Sequence, residues 1–212
     1  MPFVEKVQSL NPGWQYKLWT NLDNENFVKN EFPDFQKVYD DLSRPIMKAD
    51  VIRYLIMYKI GGVCLNLDYE VLQPFDFKDY KIILPQSKSR LIGDKRDELG
   101  NSIFAPEPGH IFWYAVIEKL TNHPPKIANY LQIPDATGPG LLSRVYFSNM
   151  YENVYVPEKM VYHPPTPGSN REINKIKNNG VSLGIHHPWG SWKERWTGIY
   201  LYTKMKQIFG FR

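Results

Sequence analysis

Cysteine is nearly absent from this sequence, because Cys64 is the only one among 212 residues. A single thiol excludes an intrachain disulfide framework and a cysteine-rich zinc site, and we expect Cys64 to be an inert apolar residue beside a core strand. The sequence also lacks any apolar run near the roughly 18 residues that a membrane-spanning helix needs. No cationic segment followed by an apolar run opens it, as a secretory signal would. We therefore expect a soluble chain without a membrane span.

The sequence also lacks segments in which charges of one sign are concentrated. Lys and Arg number 26 and Asp and Glu 22, which leaves a net charge of +4 spread over interspersed residues. Without a block of like charge, the composition does not favour a nucleic-acid partner, whereas a mild basic excess suits an anionic small molecule. A hydrophobic content of 42% with 15% aromatic residues can bury a full core, so we expect one domain over residues 1–212.

Helix and strand patterns alternate along the chain, which predicts an α/β fold with a mixed sheet flanked by helices. The predicted helices are residues 2–10, one or two within 24–43, 46–60, 110–120, one after the turn at 137–140, and 196–209. The predicted strands are residues 15–19, 63–68, 80–84, 102–105, 153–156, 159–163 and 181–186. Two exposed loops are expected at residues 86–100, a charged segment that could fold over a ligand, and at 164–180.

The segment from residue 48 to 70 contains the most informative candidate site residues of the chain. Asp50 and Arg53 are three positions apart in an otherwise apolar helix, so they share a face. Gly61-Gly62 ends that helix, and period-two alternation follows. In a strand of that period, Asn66 and Asp68 point to the same side.

These polar pairs have a functional and a structural interpretation. Oxygen ligands at i and i+2 suit Mn²⁺ or Mg²⁺, with Asp68 the stronger ligand and Asn66 an uncharged, weaker one. Asp50 and Arg53 could grip a polyhydroxylated ligand, or they could pair with each other as a salt bridge. Spacing alone weighs the two interpretations of Asp50 and Arg53 equally.

A second polar cluster lies at residues 186–192, where two imidazoles, a hydroxyl and two indoles follow a predicted strand. One histidine here, His187 in our assignment, could donate to a phosphate or complete a metal shell. The structural alternative is a packed aromatic cluster in which the histidines form hydrogen bonds within the protein. Since adjacent residues of an extended segment point to opposite faces, at most one of His186 and His187 is expected in the site.

The motifs resemble the sugar-binding region of the DXD-type glycosyltransferases, which include the fungal Golgi initiating α-mannosyltransferases and the catalytic domain of the large clostridial glucosylating toxins. The small size also resembles the glycosyltransferases of large algal viruses. The resemblance spans roughly residues 9 to 192 and is carried, in the family's order, by residues 10–19, 48–50, 53–54, 61–62, 66–68, 101–105, 108–110, 137–139, 186–187 and 190–192.

The resemblance implies a GT-A fold, which is a Rossmann-like sheet that binds a nucleotide-sugar, and transfer of a hexosyl group with retention. It implies that Asp50 and Arg53 hold the donor sugar, and that Asn66 and Asp68 contact the metal, ribose and pyrophosphate. A UDP-sugar donor and a glycan or protein acceptor are the implied partners. As written, the chain would then be cytoplasmic, in the host cell if it is viral, unless an N-terminal anchor has been removed.

The late Ser-Trp segment of the family closes over the phosphates, which assigns phosphate binding to Ser191 and Trp192, with His187 beside them. The expected metal ligands are Asp68, Asn66 and His187. We assign catalytic roles to Asp68 and to Asp135, which precedes the turn at 137–139 on the expected acceptor side.

The sequence departs from the family at three places. Asn66 stands where the family has its first motif aspartate, which weakens the expected metal affinity, and Cys64 stands where it has an aromatic residue. The strand that usually opens the family's nucleotide pocket has no counterpart before Val4, so either the chain is truncated or its pocket is built differently. Two other functions stay open: a catalytically degenerate nucleotide-sugar or glycan-binding module, and a structural α/β interaction domain.

Overall fold

The computed structural model describes residues 2–77, 80–87 and 98–188. Its helices are α1 (Pro2–Leu10), α2 (Asn21–Glu31), α3 (Gln36–Asp40), α4 (Pro45–Lys59), α5 (Ile111–Asn122), α6 (Ile133–Ala136), α7 (Pro139–Ser148), α8 (Lys159–Tyr162) and α9 (Asn170–Lys177). Its strands are β1 (Cys64–Leu65), β2 (Tyr69–Val71), β3 (Ile82–Ile83), β4 (Gln86–Ser87), β5 (Glu98–Leu99), β6 (Ile103–Pro106), β7 (Val154–Tyr155) and β8 (Gly184–His186). Single 3-10 turns precede α3 and α6.

The central sheet is mixed and has the strand order β1-β6-β3-β7. Strand β6 pairs antiparallel with β1 and with β3, while β3 and β7 run parallel. Strands β2 and β8 form a separate antiparallel pair in which Tyr69 lies opposite His186, and β4 pairs with β5. Helices pack around these strands in two apolar clusters, a large core that contains α4 and a smaller one that contains β2. The predicted α/β fold with a mixed sheet flanked by helices is therefore confirmed.

Helix α4 lies at the centre of the large core. Pro45 occupies its first turn, where a missing N–H costs nothing, and the helix buries Val51 and Leu55 completely. After Lys59 the chain turns through Gly61 and Gly62, whose φ angles of 72° and 85° lie in the left-handed region that glycine enters without a steric penalty. The predicted helix with a glycine end is confirmed.

Three predicted strands differ from the structure. Residues 15–19 are extended but form no strand, and residues 15–18 are exposed. Residues 159–163 hold helix α8, because a run this short with mixed apolar and polar residues does not specify its period. Strand β1 ends at Leu65, since Tyr69 N–H donates to the Asn66 carbonyl at 3.0 Å and closes a turn there.

The predicted loop at 164–180 contains helix α9, which begins where the Ser169 side chain accepts from Glu172 N–H. A serine cap of this kind satisfies one of the donors that a helix start leaves unpaired. The other predicted loop, 86–100, is entered by β4 and left by β5, and residues 88–97 lie outside the described residues. The predicted helix at 196–209 lies outside them too.

None of the helices in the described ranges is both long and apolar enough to cross a membrane.

Candidate functional site

Asp50 and Arg53 form an ion pair on helix α4. An Arg53 guanidinium N–H donates to Asp50 Oδ1, and the Arg53 Nε–H donates to the Ala49 carbonyl at 3.0 Å. The side chains are only 4% and 12% exposed, so each charge needs the other to offset its loss of water. The salt bridge between Asp50 and Arg53 is thus present in the fold. Whether the pair could also bind a ligand depends on its other contacts.

Asp50 also gathers two distant segments of the chain. Asn101 donates to Asp50 Oδ1 at 3.0 Å, and the Thr137 hydroxyl donates to Asp50 Oδ2 at 3.2 Å. The Tyr54 hydroxyl in turn donates to the Thr137 carbonyl at 2.6 Å. Segments 101–105 and 137–139 carried the family resemblance as separate motifs, and the fold brings both of them to one carboxylate.

The guanidinium of Arg53 also contacts Asn66. One N–H group donates to the Asn66 amide oxygen and to the Asn101 carbonyl, while the guanidinium carbon lies 5.6 Å from the centre of the Phe104 ring. Burial lowers the pKa of Arg53, but the Asp50 carboxylate together with Cys64 and Tyr54 outweighs it, and the pKa is raised. Arg53 is therefore a fixed cation, and the amide oxygen of Asn66 faces it.

Asp68 lies beside the end of strand β8. His186 Nε2 is 3.2 Å from Asp68 Oδ1, and His187 N–H donates to the Asp68 carbonyl at 2.8 Å. His187 directs its own Nε2 to Glu70 Oε2 at 3.1 Å. The β2–β8 pairing explains this arrangement, because it brings residues 186 and 187 alongside residues 68–70.

The fold separates the groups that Asn66 and Asp68 contact. Residues 66–68 lie in the turn after β1, so the alternation of a strand does not apply to them, and Asn66 contacts Arg53 while Asp68 contacts His186. The predicted ligand set of Asp68, Asn66 and His187 stays a prediction. His186 is the imidazole nearer to Asp68.

The donor set can be tested against the divalent cation that the family implies. Within the described ranges, no three His, Cys, Asp or Glu side chains are grouped as metal ligands. Mg²⁺ and similar cations commonly use one or two protein carboxylates together with substrate phosphates. Asp68 fits that requirement, whereas the Asn66 oxygen is engaged by the Arg53 cation.

A buried second layer supports the site and was missed by the sequence analysis. The Ser102 hydroxyl bonds with His163 Nε2, and His163 Nδ1 lies 3.0 Å from the Gln86 carbonyl. The Ser102 carbonyl accepts from Asn66 N–H at 2.9 Å, and the His163 ring meets the His186 ring edge-on at 6.2 Å. A Cβ on Gly100 would lie 2.2 Å from His163 Cε1, so the close approach of His163 requires glycine at this position. Gly100 is the sequence feature that could have indicated this contact.

The predicted site residue Asp135 pairs with Arg144 of helix α7. Its carboxylate, 56% exposed, accepts from Arg144 at 2.9 Å. Thr137, two residues later, turns inward to Asp50. The acceptor-side role of Asp135 stays a prediction. Ser191 and Trp192 lie outside the described residues.

The sequence of residues 1–90 matches the family model described as "Glycosyltransferase sugar-binding region containing DXD motif". Three of the residues gathered above, Asp50, Arg53 and Asn66, fall within this match. The resemblance to the DXD-type glycosyltransferases is thus confirmed, and residues 1–90 are the part of the chain that matches the family's sugar-binding region.

Two curated relatives illustrate the similarity. Mannosyl phosphorylinositol ceramide synthase CSH1 of Saccharomyces cerevisiae is 30% identical over 157 residues, which are 70% of this chain and 40% of that protein. Uncharacterized glycosyltransferase L373 of Acanthamoeba polyphaga mimivirus is 35% identical over 67 residues, 31% of this chain and 27% of that protein. The chain therefore spans less than half the length of each.

Among solved structures, PaToxG Glycosyltransferase is similar in fold, with a TM-score of 0.50 and 10% sequence identity. The superposition covers 97% of this chain and 77% of that one. A likeness at this identity concerns the fold alone, and it agrees with the mixed α/β architecture found here.

Proposed function

We propose that this chain is a GT-A glycosyltransferase that moves a hexosyl group, with retention, from a nucleotide diphosphate sugar to a glycan or protein acceptor. The convergence of three motifs on Asp50 is the observation that carries the proposal. Asn101 and Thr137 lie 51 and 87 positions from Asp50 in sequence, yet both bond to its carboxylate. A salt bridge with Arg53 alone would not require either of them.

In this proposal the Asp50 and Arg53 pair holds the donor sugar. A carboxylate accepts from sugar hydroxyls, and a guanidinium donates to hydroxyl or phosphate oxygens. The pair is nearly buried and fixed by its neighbours, so little side-chain freedom remains to be lost when a ligand binds. Preorganised groups of this kind suit a site that orients a sugar for transfer.

Asp68 would hold the divalent cation, Mn²⁺ or Mg²⁺, together with oxygens of the donor diphosphate. When bound, such a cation neutralises charge that builds on the departing diphosphate. His186, 3.2 Å from Asp68, orients that carboxylate. Asn66 adds no charge to the set, which predicts a lower cation affinity than that of a site with two aspartates.

The donor is proposed to be UDP-linked. Mannose is a further sugar to test, since two relatives are inositol phosphoceramide mannosyltransferases. Hydroxyl placement alone separates mannose, glucose and galactose, so the screen has to include UDP-linked sugars and nucleotide-linked mannose in parallel.

The test is a screen of nucleotide-sugars for donor hydrolysis, with calorimetry for binding in the presence and absence of Mn²⁺. We expect hydrolysis of one donor, and its loss in Asp50→Asn. Glu107→Gln is the matched control, because Glu107 forms an exposed ion pair with Lys81 and is not among the residues bonded to Asp50. Failure of the intact protein to bind any nucleotide-sugar would overturn the proposal.

One observation favours a second candidate, a catalytically degenerate binding module. The amide of Asn66 is held by Arg53 and presents no carboxylate toward a cation. This candidate predicts binding without hydrolysis, and it predicts that Asn66→Asp gains no activity. Measurable turnover by the unaltered protein would exclude it.

A further inference from the structure

Glu70 is a buried carboxylate on which three basic side chains converge. Its side chain is 7% exposed in strand β2. The ammonium groups of Lys6 in α1 and Lys177 in α9 both lie 2.8 Å from Glu70 Oε1, and His187 Nε2 lies 3.1 Å from Oε2. Four separate parts of the chain thus meet at one side chain.

The cluster carries more positive charge than Glu70 neutralises. The Glu70 carboxylate accepts a hydrogen bond from Lys6 Nζ and lies 2.8 Å from Lys177 Nζ. One negative charge therefore faces two ammonium groups before His187 is counted. One lysine would be enough to neutralise the buried carboxylate, so the second ammonium group is in excess.

The two lysines remain accessible to a ligand. Their side chains are 34% and 37% exposed, in contrast to Glu70. Each ammonium group has three donors, of which the bond to Glu70 takes one. Because both nitrogens lie 2.8 Å from the same oxygen, they are at most twice that distance apart, within reach of oxygens on adjacent phosphates.

The cluster adjoins the candidate donor site. Glu70 lies two residues after Asp68, and His187 bonds to both, through its backbone N–H to Asp68 and through its ring to Glu70. The Phe3 ring stacks on the His187 ring with the centroids 5.1 Å apart and covers one of its faces. Lys6 and Lys177 therefore lie beside the segment that holds Asp68, the proposed cation ligand.

A purely structural role would be to fasten helices α1 and α9 to strand β2. That role needs the buried carboxylate and its partners, but it makes no use of the exposed donors. It predicts changes in stability alone when a lysine is replaced. The two roles can therefore be separated by measuring anion binding and stability on the same variants.

We propose that Lys6 and Lys177, held in place by Glu70, bind the diphosphate group of the nucleotide-sugar donor. The inference rests on the proposed function for the identity of the ligand. Each ammonium group donates to phosphate oxygens, and Glu70 acts as a positioning residue that fixes both lysine side chains. The two lysines would bind the diphosphate without a divalent cation, in a site where Asn66 replaces one carboxylate of the motif.

The test is calorimetric titration of the intact protein with inorganic pyrophosphate in EDTA, so that no divalent cation takes part. We expect Lys177→Gln to weaken pyrophosphate binding about tenfold, as loss of a hydrogen bond from a charged group does. Lys175→Gln is the matched control, since Lys175 lies on the same helix and its replacement removes the same charge. Its effect should stay below about twofold, because exposed charges that do not touch the anion are screened by salt.

Lys6→Gln supplies a second variant on a different helix, with the same expected loss. Equal affinities for Lys177→Gln and Lys175→Gln would overturn the inference, as would an absence of pyrophosphate binding by the unaltered protein. Thermal unfolding of each variant is measured alongside, and lower stability with unchanged affinity assigns the cluster a structural role only. Should Lys177→Gln not fold, Lys6→Gln and the charge-keeping Lys177→Arg decide the question.

Failure of this inference is distinguishable from failure of the proposed function. If nucleotide-sugars bind and are hydrolysed while the lysine variants keep full affinity for pyrophosphate, the cluster is excluded and the function stands. If pyrophosphate binding depends on both lysines while no nucleotide-sugar is bound, the anion site stands without the donor.

Discussion

The Arg53 guanidinium donates to the amide oxygen of Asn66, thirteen positions farther along the chain. Asn66 occupies the place of the first aspartate in the family motif, so Arg53 contacts the one motif position where this chain has lost a charge. An aspartate there would face a buried cation as well as any divalent ion. A carboxylate at position 66 would therefore change the charge balance of Arg53 and Asp50 as well as the proposed metal site.

Asn66→Asp is expected to raise Mn²⁺ affinity about tenfold, because cation affinity follows the number of charged ligands, while attraction to Arg53 limits the gain. Calorimetric titration with Mn²⁺ in the presence of the donor measures the change. Asn174→Asp on helix α9 adds the same charge at an exposed position and serves as the control. Equal affinities for the two variants would contradict a metal role for position 66.

Asp50→Asn is expected to destabilise the protein by about 3 kcal/mol, since it leaves the buried Arg53 cation without its counter-ion. The chain provides a matched comparison in Asp135→Asn, which breaks an exposed aspartate–arginine pair with Arg144. That change should cost less than about 1 kcal/mol. Urea unfolding of both variants measures the contrast, and similar losses would mean that Arg53 is solvated.

The Glu70 carboxylate predicts a pH-dependent contribution to stability. Its pKa falls from 4.5 to about 2 in the folded protein, so its contribution is fully present above about pH 4.5 and is lost as the pH falls toward 2. Glu70→Gln should reduce the free energy of unfolding by up to about 3 kcal/mol at pH 7, with a smaller difference near pH 3.

Urea unfolding at several pH values measures the contribution of Glu70. Glu107→Gln is the control, because it breaks an ion pair that is about half exposed and should show little difference at any pH. A difference between Glu70→Gln and the unaltered protein that does not shrink at low pH would assign it to packing instead of charge.

Gly100→Ala is expected to destabilise the protein by about 2 kcal/mol, because the added methyl group overlaps the buried His163 ring. Gly13→Ala is the control, since a Cβ at Gly13 meets no atom within 4 Å. Thermal or urea unfolding measures both. Gly100→Ala should cost less in a His163→Ala background than in the unaltered protein, and an equal cost would place the overlap elsewhere.

Local sequence signals predicted helix α4 well. Pro45 and the pair Gly61-Gly62 bracket it, and its apolar residues are dense enough that no other element fits them. The turn at residues 66–68 was wrongly predicted as strand, because Leu67 continues the apolar alternation although it is 45% exposed. An apolar residue in a turn does not indicate locally that the strand has ended.

The contacts of the candidate site are a different case. Asp50, Arg53, Asn66 and Asp68 could be selected by motif and spacing, but their partners could not. Asn101 and Thr137 reach Asp50 across long separations in sequence, and tertiary packing, including that of α4 against α5 and β6, brings them together. The assignment of His186 to Asp68 likewise depends on the register of β2 and β8, which no local pattern specifies.

The partners of Asp50 also bear on how the chain could be divided. The sugar-binding match ends at residue 90, whereas Asn101 and Thr137 lie beyond it. A fragment that stopped at residue 90 would keep Asp50 and Arg53 but would lose both of these hydrogen-bond donors, and the apolar cover of α5 and α7 with them. We therefore expect that residues 1–90 do not fold on their own, and that the contacts of Asp50 form only when the second half of the chain has folded onto the first.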